Sequence, residues 1–192
     1  MARITDQTKI ERLKQSTMKL VVDNGFGGAS VALISKDAQV ASGYFYMHYK
    51  GKYELVNAIL QEVYGEVFGF FETLIVPEKP VLETIENLIR HFVQYANEEP
   101  IRVKFLYVLT NDYTFIIDQE IHENTLKLID KLLQIGRSNG TFDDELTVSD
   151  LYLVLVLLTI QFINQKYKHG QQETITESDI QHLLKMIFKF LK

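Results

Sequence analysis

Apolar positions recur every three or four residues along most of the chain, which is the spacing of an amphipathic helix. A first helix is predicted from about Thr5, whose side chain can cap it, to Asn24–Gly25, where glycine can adopt a left-handed conformation. Ser30 is the predicted N-cap of a short second helix, and the turn at 39–42 leads into a third helix that ends at Tyr49. Longer helices are predicted over residues 50–75, 81–98, 100–114, 117–138, 147–168 and 177–191. The pattern predicts an all-α chain of about nine helices.

The segment from Leu151 to Leu158 is ambiguous, because its β-branched and aromatic residues also suit a buried strand. We interpret it as a helix, since Thr147 and Asp150 supply N-terminal signals and the apolar run continues to Ile163. A helix that is apolar all round must be covered on more than one side, which suggests a second copy of the chain. The predicted homodimer interface uses this helix and the last one, through Leu153, Leu157, Ile160, Ile187 and Leu191.

The composition narrows the class of protein. The 192 residues are 46% hydrophobic and 23% charged, as in a globular protein of one domain or one domain with a small appendage. The absence of cysteine excludes a disulfide scaffold, a thiol nucleophile and any Cys-ligated metal. The polar N-terminus lacks a secretory signal, and the 13 apolar residues Leu151–Ile163 are expected to be too short to span a bilayer. We therefore expect a cytoplasmic protein with no membrane partner.

The charge is unevenly distributed. Residues 1–52 contain eight Lys and Arg against four acidic residues, whereas residues 53–192 contain 12 basic and 21 acidic residues. A basic head on an acidic body suggests an anionic partner for the head, although a local fluctuation of this size is also possible.

Residues 25–55 have the layout of a helix-turn-helix, in which a first helix braces against DNA and a second enters the major groove. Small residues are needed where the two helices meet, and Ala32, Ala38 and Ala41 can supply them. The second helix carries the polar and aromatic side chains that an exposed recognition helix needs, namely Ser42, Gly43, Tyr44, Tyr46, Met47 and His48.

This segment resembles the DNA-binding region of the TetR family of bacterial transcriptional regulators. The positions that keep both residue type and spacing are Gly25-Phe26, Ser30-Val31, Ile34, Ala38, Val40, Gly43, Tyr46, His48, Lys52 and Glu54-Leu55. The departures are Ala29, Ser35, Gln39 and Ala41, with Phe45 and Tyr49 keeping apolar bulk. Gln39 replaces the glycine of the turn, where a left-handed residue costs more, and Ser42 is expected to cap the recognition helix in place of Ala41. The resemblance implies a three-helix DNA-binding domain at residues 1–52 and a helical effector-binding and dimerisation domain at 53–192.

The resemblance also implies roles for individual residues. Ser30 and Lys52 would contact phosphates, and Tyr46 would give its hydroxyl to another phosphate. Ser42, Gly43, Tyr44 and His48 would approach base edges or the sugar-phosphate backbone, and Arg3 would reach the minor groove or a phosphate. Each has a plainer alternative. Tyr46 and Tyr49 suit a core, His48 suits a solvated surface, Lys36 and Lys50 suit ordinary solubilising charges, and Phe45 is expected in the core.

In the TetR family the body binds an effector and forms the dimer, and the resemblance implies the same for this chain. The side chains we expect to line an effector pocket are Phe92, Tyr95, Phe105, Tyr113 and Gln161, although each also suits a bundle core. Because no charges cluster among them, we expect a small, largely apolar effector. Its binding would weaken the grip on a palindromic double-stranded DNA operator, with recognition helices about 34–36 Å apart in the homodimer.

No catalytic motif is found. The five histidines have no metal-ligand spacing, no Gly-x-Ser-x-Gly elbow or phosphate loop is present, and we expect no catalytic activity, metal or cofactor. The sequence thus predicts a ligand-responsive transcriptional regulator that acts as a repressor. The alternative is a TetR-like helical interaction protein that binds a protein or small molecule without operator-specific repression.

Overall fold

The computed structural model describes residues 2–76, 79–168 and 174–191, with side chains from residue 7 onward. These ranges contain nine helices and no strand, which confirms the all-α prediction. The helices are α1 (Ala2–Gly28), α2 (Val31–Asp37), α3 (Ser42–His48), α4 (Lys52–Leu74), α5 (Val81–Glu98), α6 (Pro100–Thr110), α7 (Gln119–Ser138), α8 (Val148–Lys168) and α9 (Glu177–Phe190).

Two helix ends differ from the sequence-based expectation. Thr5 lies inside α1, which begins at Ala2, so Thr5 is not its N-cap. α1 breaks at Gly25, where φ is 73°, and helical turns resume to Gly28. α6 ends at Thr110 rather than near residue 114, because the Asp112 carboxylate accepts the backbone N–H of Thr114 at 2.8 Å and so favours a turn over a helix.

α8 is helical throughout, as predicted, but it is longer than its apolar centre. It begins with a capping box between Thr147 and Asp150, and a π-helical segment occupies Leu153–Leu157. The helix has 21 residues and a mean hydropathy of 1.5 in its most apolar 18-residue window, half of which is buried. It is therefore long enough to cross a bilayer, contrary to the estimate from 13 residues, but its burial is that of a core helix.

The chain packs as two compact units. Unit 1 contains the residues up to Val63 together with Lys104–Asp118, and unit 2 contains Tyr64–Val103 and the residues from Gln119 onward. The helix-turn-helix head therefore packs with a segment that follows it by more than 40 residues. The division at residues 52 and 53 remains a prediction about sequence domains, and the packing divides the chain differently.

In unit 1, α1, α2, α3 and the start of α4 enclose a small apolar core. Its fully buried side chains include Leu13, Val21, Ile34, Phe45 and Leu55. Lys14 crosses from α1 to α4 at the edge of this core, with its Nζ 2.5 Å from Glu62 and 3.3 Å from Glu11. Burial lowers the pKa of Lys14, but the two carboxylates outweigh it and the net shift is upward. The pairs keep Lys14 charged and fix α1 against α4.

In unit 2, α9 packs against α5 and α8, which decides what the predicted dimer residues do. Ile160, Ile187 and Leu191 are buried within unit 2, so their side chains belong to this chain's own core. Leu153 is 53% exposed and Leu157 is half-buried. Of the five residues predicted at a dimer interface, only these two present apolar surface to a second copy.

Candidate nucleic-acid interface

The helix-turn-helix is built on two short helices joined by a strained turn. The Ser30 side chain caps α2 as predicted, accepting the backbone N–H of Leu33 at 3.2 Å. Gln39 has a φ of 54°, and among the described residues it is the only non-glycine residue with a positive φ. A hydrogen bond of 2.9 Å from the Val40 N–H to the Ser35 carbonyl closes the turn. The chain thus keeps the family's turn geometry without the glycine that usually accommodates it.

α3 is anchored by a single buried side chain and is otherwise exposed. Phe45 has an exposure of 0%, whereas Tyr46 is 60% and Met47 is 78% exposed. Ser42, Gly43 and His48 are also exposed. This distribution supports the recognition-helix interpretation over the alternative in which Tyr46 belongs to the core.

Three details of this region correct the expectations. Ala41 is the residue that precedes α3, with no side-chain cap, and Ser42 is already helical, so Ser42 is not the cap. Of the three alanines predicted at the helix contact, Ala38 is buried, while Ala32 and Ala41 are exposed. Tyr49 is half-buried, and its burial raises the pKa of its hydroxyl.

An aromatic and cationic cluster lies on one side of α3. The rings of Tyr44 and His48 are one turn apart, with centroids separated by 4.6 Å. The Nζ of Lys9, on α1, lies 4.8 Å from the centroid of the Tyr44 ring. Sequence reasoning missed Lys9 as a neighbour of the recognition helix, and the excess of basic residues in the head was the only signal for it. The cluster adds a positive charge beside α3.

The remaining predicted DNA contacts have different surroundings. Ser30 is exposed at the start of α2. The side chain of Arg3 lies outside the described residues. Lys52 is half-buried, its Nζ donates a hydrogen bond to the backbone carbonyl of Phe26, and it lies 4.0 Å from the centroid of the Phe26 ring. Burial lowers the pKa of Lys52, with the nearby Asp112 carboxylate opposing this effect.

Residues Asp112–Ile116, which we call the clasp, contact the head in unit 1. The Asp112 carboxylate accepts the N–H of Phe26 at 3.0 Å. The Phe115 ring packs between Phe26 and Tyr53, at centroid distances of 4.9 and 5.4 Å, and the Tyr53 hydroxyl donates to the Ile116 carbonyl at 2.7 Å. The hydrogen bonds from Thr114 and Phe26 hold the pKa of Asp112 below its usual value. No local sequence signal marked this contact.

The predicted effector-lining residues do not form one enclosed pocket within either unit. Phe92 and Tyr95 are buried in unit 2, and Phe105 is buried in unit 1. Tyr113 is fully exposed and Gln161 is exposed, which corrects the expectation that they face an interior cavity. Unit 2 does carry an open groove of about 440 Å³, which contains none of the predicted residues and is lined by Glu86, Gln181, Leu184, Lys185, Phe188 and Lys189.

Residues 15–59 match the family model described as bacterial regulatory proteins, tetR family. The chain is 22% identical over 143 residues to the fatty acid metabolism regulator protein of Bacillus subtilis, spanning 73% of this chain and 74% of that protein. It is similar in fold to a TetR family transcription regulator from Marinobacter aquaeolei, with a TM-score of 0.75, 17% identity and 98% of each chain covered. It is also similar to the transcriptional regulator FadR from Bacillus subtilis in complex with stearoyl-CoA, with a TM-score of 0.73, 17% identity, and 94% of this chain and 96% of that chain covered.

These relatives are regulators rather than enzymes, and no catalytic family is indicated. The match of the family model falls on the helix-turn-helix whose turn, cap and exposed recognition helix are described above, and the fold matches extend along the chain. The chain is therefore a transcription regulator of the TetR family.

Proposed function

We propose that this protein represses transcription by binding a palindromic double-stranded DNA operator as a homodimer, and that a small, largely apolar effector weakens that binding. The observation that carries the proposal is α3, in which the buried Phe45 fixes the helix and the exposed Tyr46 and His48 face away from the core. A helix anchored by one face and polar on the other can enter a major groove without unfolding its domain.

The chemistry of this face suits the two parts of a DNA duplex. The Tyr46 hydroxyl and the exposed Ser30 hydroxyl would donate to phosphates, while Ser42 and His48 would reach base edges. Gly43 has no heavy atom within 4 Å of the position that a Cβ would take, so the backbone of α3 is uncovered there. Lys9, above the Tyr44 ring, would add a positive charge near the sugar-phosphate backbone.

A homodimer would place two such heads on successive major grooves, about 34–36 Å apart. Support for a second copy comes from the exposed Leu153 and half-buried Leu157, one turn apart on α8. Apolar side chains at this spacing on an otherwise core-forming helix are typical of a helix-to-helix interface.

For the effector we propose a long-chain acyl compound. The Bacillus subtilis FadR structure contains stearoyl-CoA, and the curated relative is a fatty acid metabolism regulator. In unit 2, Phe92 and Tyr95 supply buried aromatic surface. Two buried polar atoms on α8, Oγ1 of Thr159 and Nδ2 of Asn164, have no hydrogen-bond partner within the described part of the chain. Buried unpaired polar atoms are costly, and a bound ligand could satisfy them.

Selection of bound fragments from a random DNA pool tests the DNA-binding proposal. We expect a palindrome whose affinity falls steeply with salt, and a loss of affinity of about tenfold for Tyr46→Phe if one phosphate hydrogen bond is removed. Tyr113→Phe is the matched control, because Tyr113 is an exposed tyrosine of unit 1 outside α3. A folded protein that enriches no sequence would instead favour the interaction-protein alternative.

Adding stearoyl-CoA to the DNA complex tests the effector proposal. We expect it to weaken operator binding by about 5- to 150-fold, the usual range of allosteric coupling, and free CoA to have no effect. Thr159→Val replaces the unpaired hydroxyl by a methyl group of similar size, so it should preserve folding and reduce the response. An unchanged operator affinity with both stearoyl-CoA and stearate would rule out a long-chain acyl effector.

A further inference from the structure

The backbone of Phe26 is held at both of its polar groups by side chains of opposite charge. Gly25 interrupts α1 with a φ of 73°, so the groups around it lose part of the regular helical hydrogen bonding. The N–H of Phe26 donates to the Asp112 carboxylate at 3.0 Å, and its carbonyl accepts from the Nζ of Lys52. The two charges thus stabilise the break in α1 from opposite ends of one residue.

Lys52 is committed to this arrangement by its surroundings. Its ammonium group lies 4.0 Å from the centroid of the Phe26 ring, and the side chain is half-buried. If Lys52 turned outward to a phosphate, the Phe26 carbonyl would lose its donor and the Asp112 carboxylate would lose its nearest opposite charge. An unpaired, partly buried carbonyl disfavours that movement.

Lys50 lies two residues before Lys52, just beyond the end of α3, and has the opposite character. Its side chain is exposed and takes part in none of the ion pairs found among the described residues. Its backbone N–H donates to the Glu54 carboxylate at 2.5 Å, which fixes the main chain while leaving the ammonium group in solvent. A fixed backbone with a solvent-facing cation suits a phosphate contact.

We propose that Lys52 is a positioning residue that holds the head in shape together with Asp112, and that Lys50 supplies the phosphate contact at this end of the recognition helix. The proposal rests on the proposed operator binding and changes the assignment that the family resemblance gave to Lys52. It also makes the shape of the DNA-binding head depend on the clasp, which follows α6 far along the chain.

The salt dependence of operator binding separates the two lysines. Lys50→Met and Lys52→Met remove the ammonium group and keep the apolar stem, and Lys127→Met is a control at an exposed lysine of unit 2. Each phosphate contact contributes about 0.9 to the slope of log K against log salt, or about twice this for a homodimer. We expect Lys50→Met to reduce the slope by that amount, and Lys52→Met and Lys127→Met to leave it unchanged.

Thermal unfolding gives the second measurement. We expect Lys52→Met and Asp112→Asn to lower Tm, their double variant to lower it by less than the sum of the two, and Lys50→Met to leave it unchanged. A slope reduced by Lys52→Met, or additive losses of Tm, would overturn the positioning role. A slope unchanged by Lys50→Met would overturn the phosphate contact. If the wild-type protein binds no operator, the proposed function and the phosphate contact fail together, and Tm alone decides the role of Lys52.

Discussion

The carboxylate of Asp112 accepts the backbone N–H of Phe26 at 3.0 Å, although the two residues are 86 positions apart in the sequence. The contact ties the turn that follows α6 to the place where α1 breaks at Gly25. A DNA-binding head that is continuous in sequence therefore depends for part of its packing on residues outside that sequence.

Removing the charge of Asp112 should weaken unit 1 in a pH-dependent way. The pKa of Asp112 in the folded protein lies below its usual value of 3.8, so its stabilising contribution is present above that pH and is lost as the pH falls through the folded pKa. We expect Asp112→Asn to lower the free energy of unfolding by about 1–2 kcal/mol at pH 7. Urea unfolding at pH 7 and pH 3 measures this. A deficit that is equally large at pH 3 would show that the carboxylate charge is not responsible.

Phe45 and Met47 are near neighbours on α3 with opposite roles. Phe45 is fully buried, so Phe45→Ala should cost about 3–5 kcal/mol of unfolding free energy through the cavity that it leaves. Met47 is largely exposed, and Met47→Ala should change stability by less than about 0.5 kcal/mol. Urea unfolding of the two variants makes the comparison. Equal losses would contradict the orientation of the recognition helix described above.

Gly136 allows the close approach of Phe142 in unit 2. A Cβ at this position would lie 2.1 Å from Cδ2 of the Phe142 ring, so Gly136→Ala should destabilise the protein by about 1–3 kcal/mol. Gly65 is the matched control, since it is an exposed helical glycine with nothing within 4 Å of its Cβ position. Gly65→Ala should raise stability by about 0.5–1 kcal/mol, because glycine costs more conformational entropy in a helix. Thermal unfolding of both variants tests the prediction, and a stabilising Gly136→Ala would refute the packing.

Gln39 carries backbone strain in the helix-turn-helix. Its φ of 54° lies in the left-handed region, which costs a non-glycine residue about 1–2 kcal/mol. Glycine removes this cost but adds entropy to the unfolded chain, so Gln39→Gly should stabilise the protein by roughly 0.5–1 kcal/mol. The measurement is the midpoint of urea unfolding. A lower midpoint for Gln39→Gly than for the wild type would mean that the Gln39 side chain stabilises the turn more than its backbone strains it.

Local patterns in the sequence predicted much of the fold. Helix α5 begins and ends where the apolar spacing and Pro80 and Pro100 indicated. The Ser30 cap and the burial of Phe45 follow from residue type and register, which act over a few neighbouring positions. The strain at Gln39 was likewise predictable, because the turn requires a left-handed residue whichever side chain occupies it.

What the sequence did not predict depends on contacts between distant residues. Apolar spacing marked Ile187 as a packing residue, but it could not tell whether the partner was this chain or a second copy. Residue type marked Tyr113 as an aromatic of the body, although the turn after α6 leaves it in solvent. The engagement of Lys52 depends on a carbonyl near the break in α1 and on a carboxylate from the clasp, and neither is adjacent in sequence.

Sedimentation of the protein with a labelled duplex carrying the selected site is the most direct test of the central claim, that this chain binds operator DNA as a homodimer through α3. The account predicts a complex of two chains per duplex whose affinity falls steeply as salt is raised. It also predicts that Tyr46→Phe weakens the complex without changing its stoichiometry. A folded protein whose binding is absent, independent of salt, or unaffected by substitutions on α3 would contradict the account.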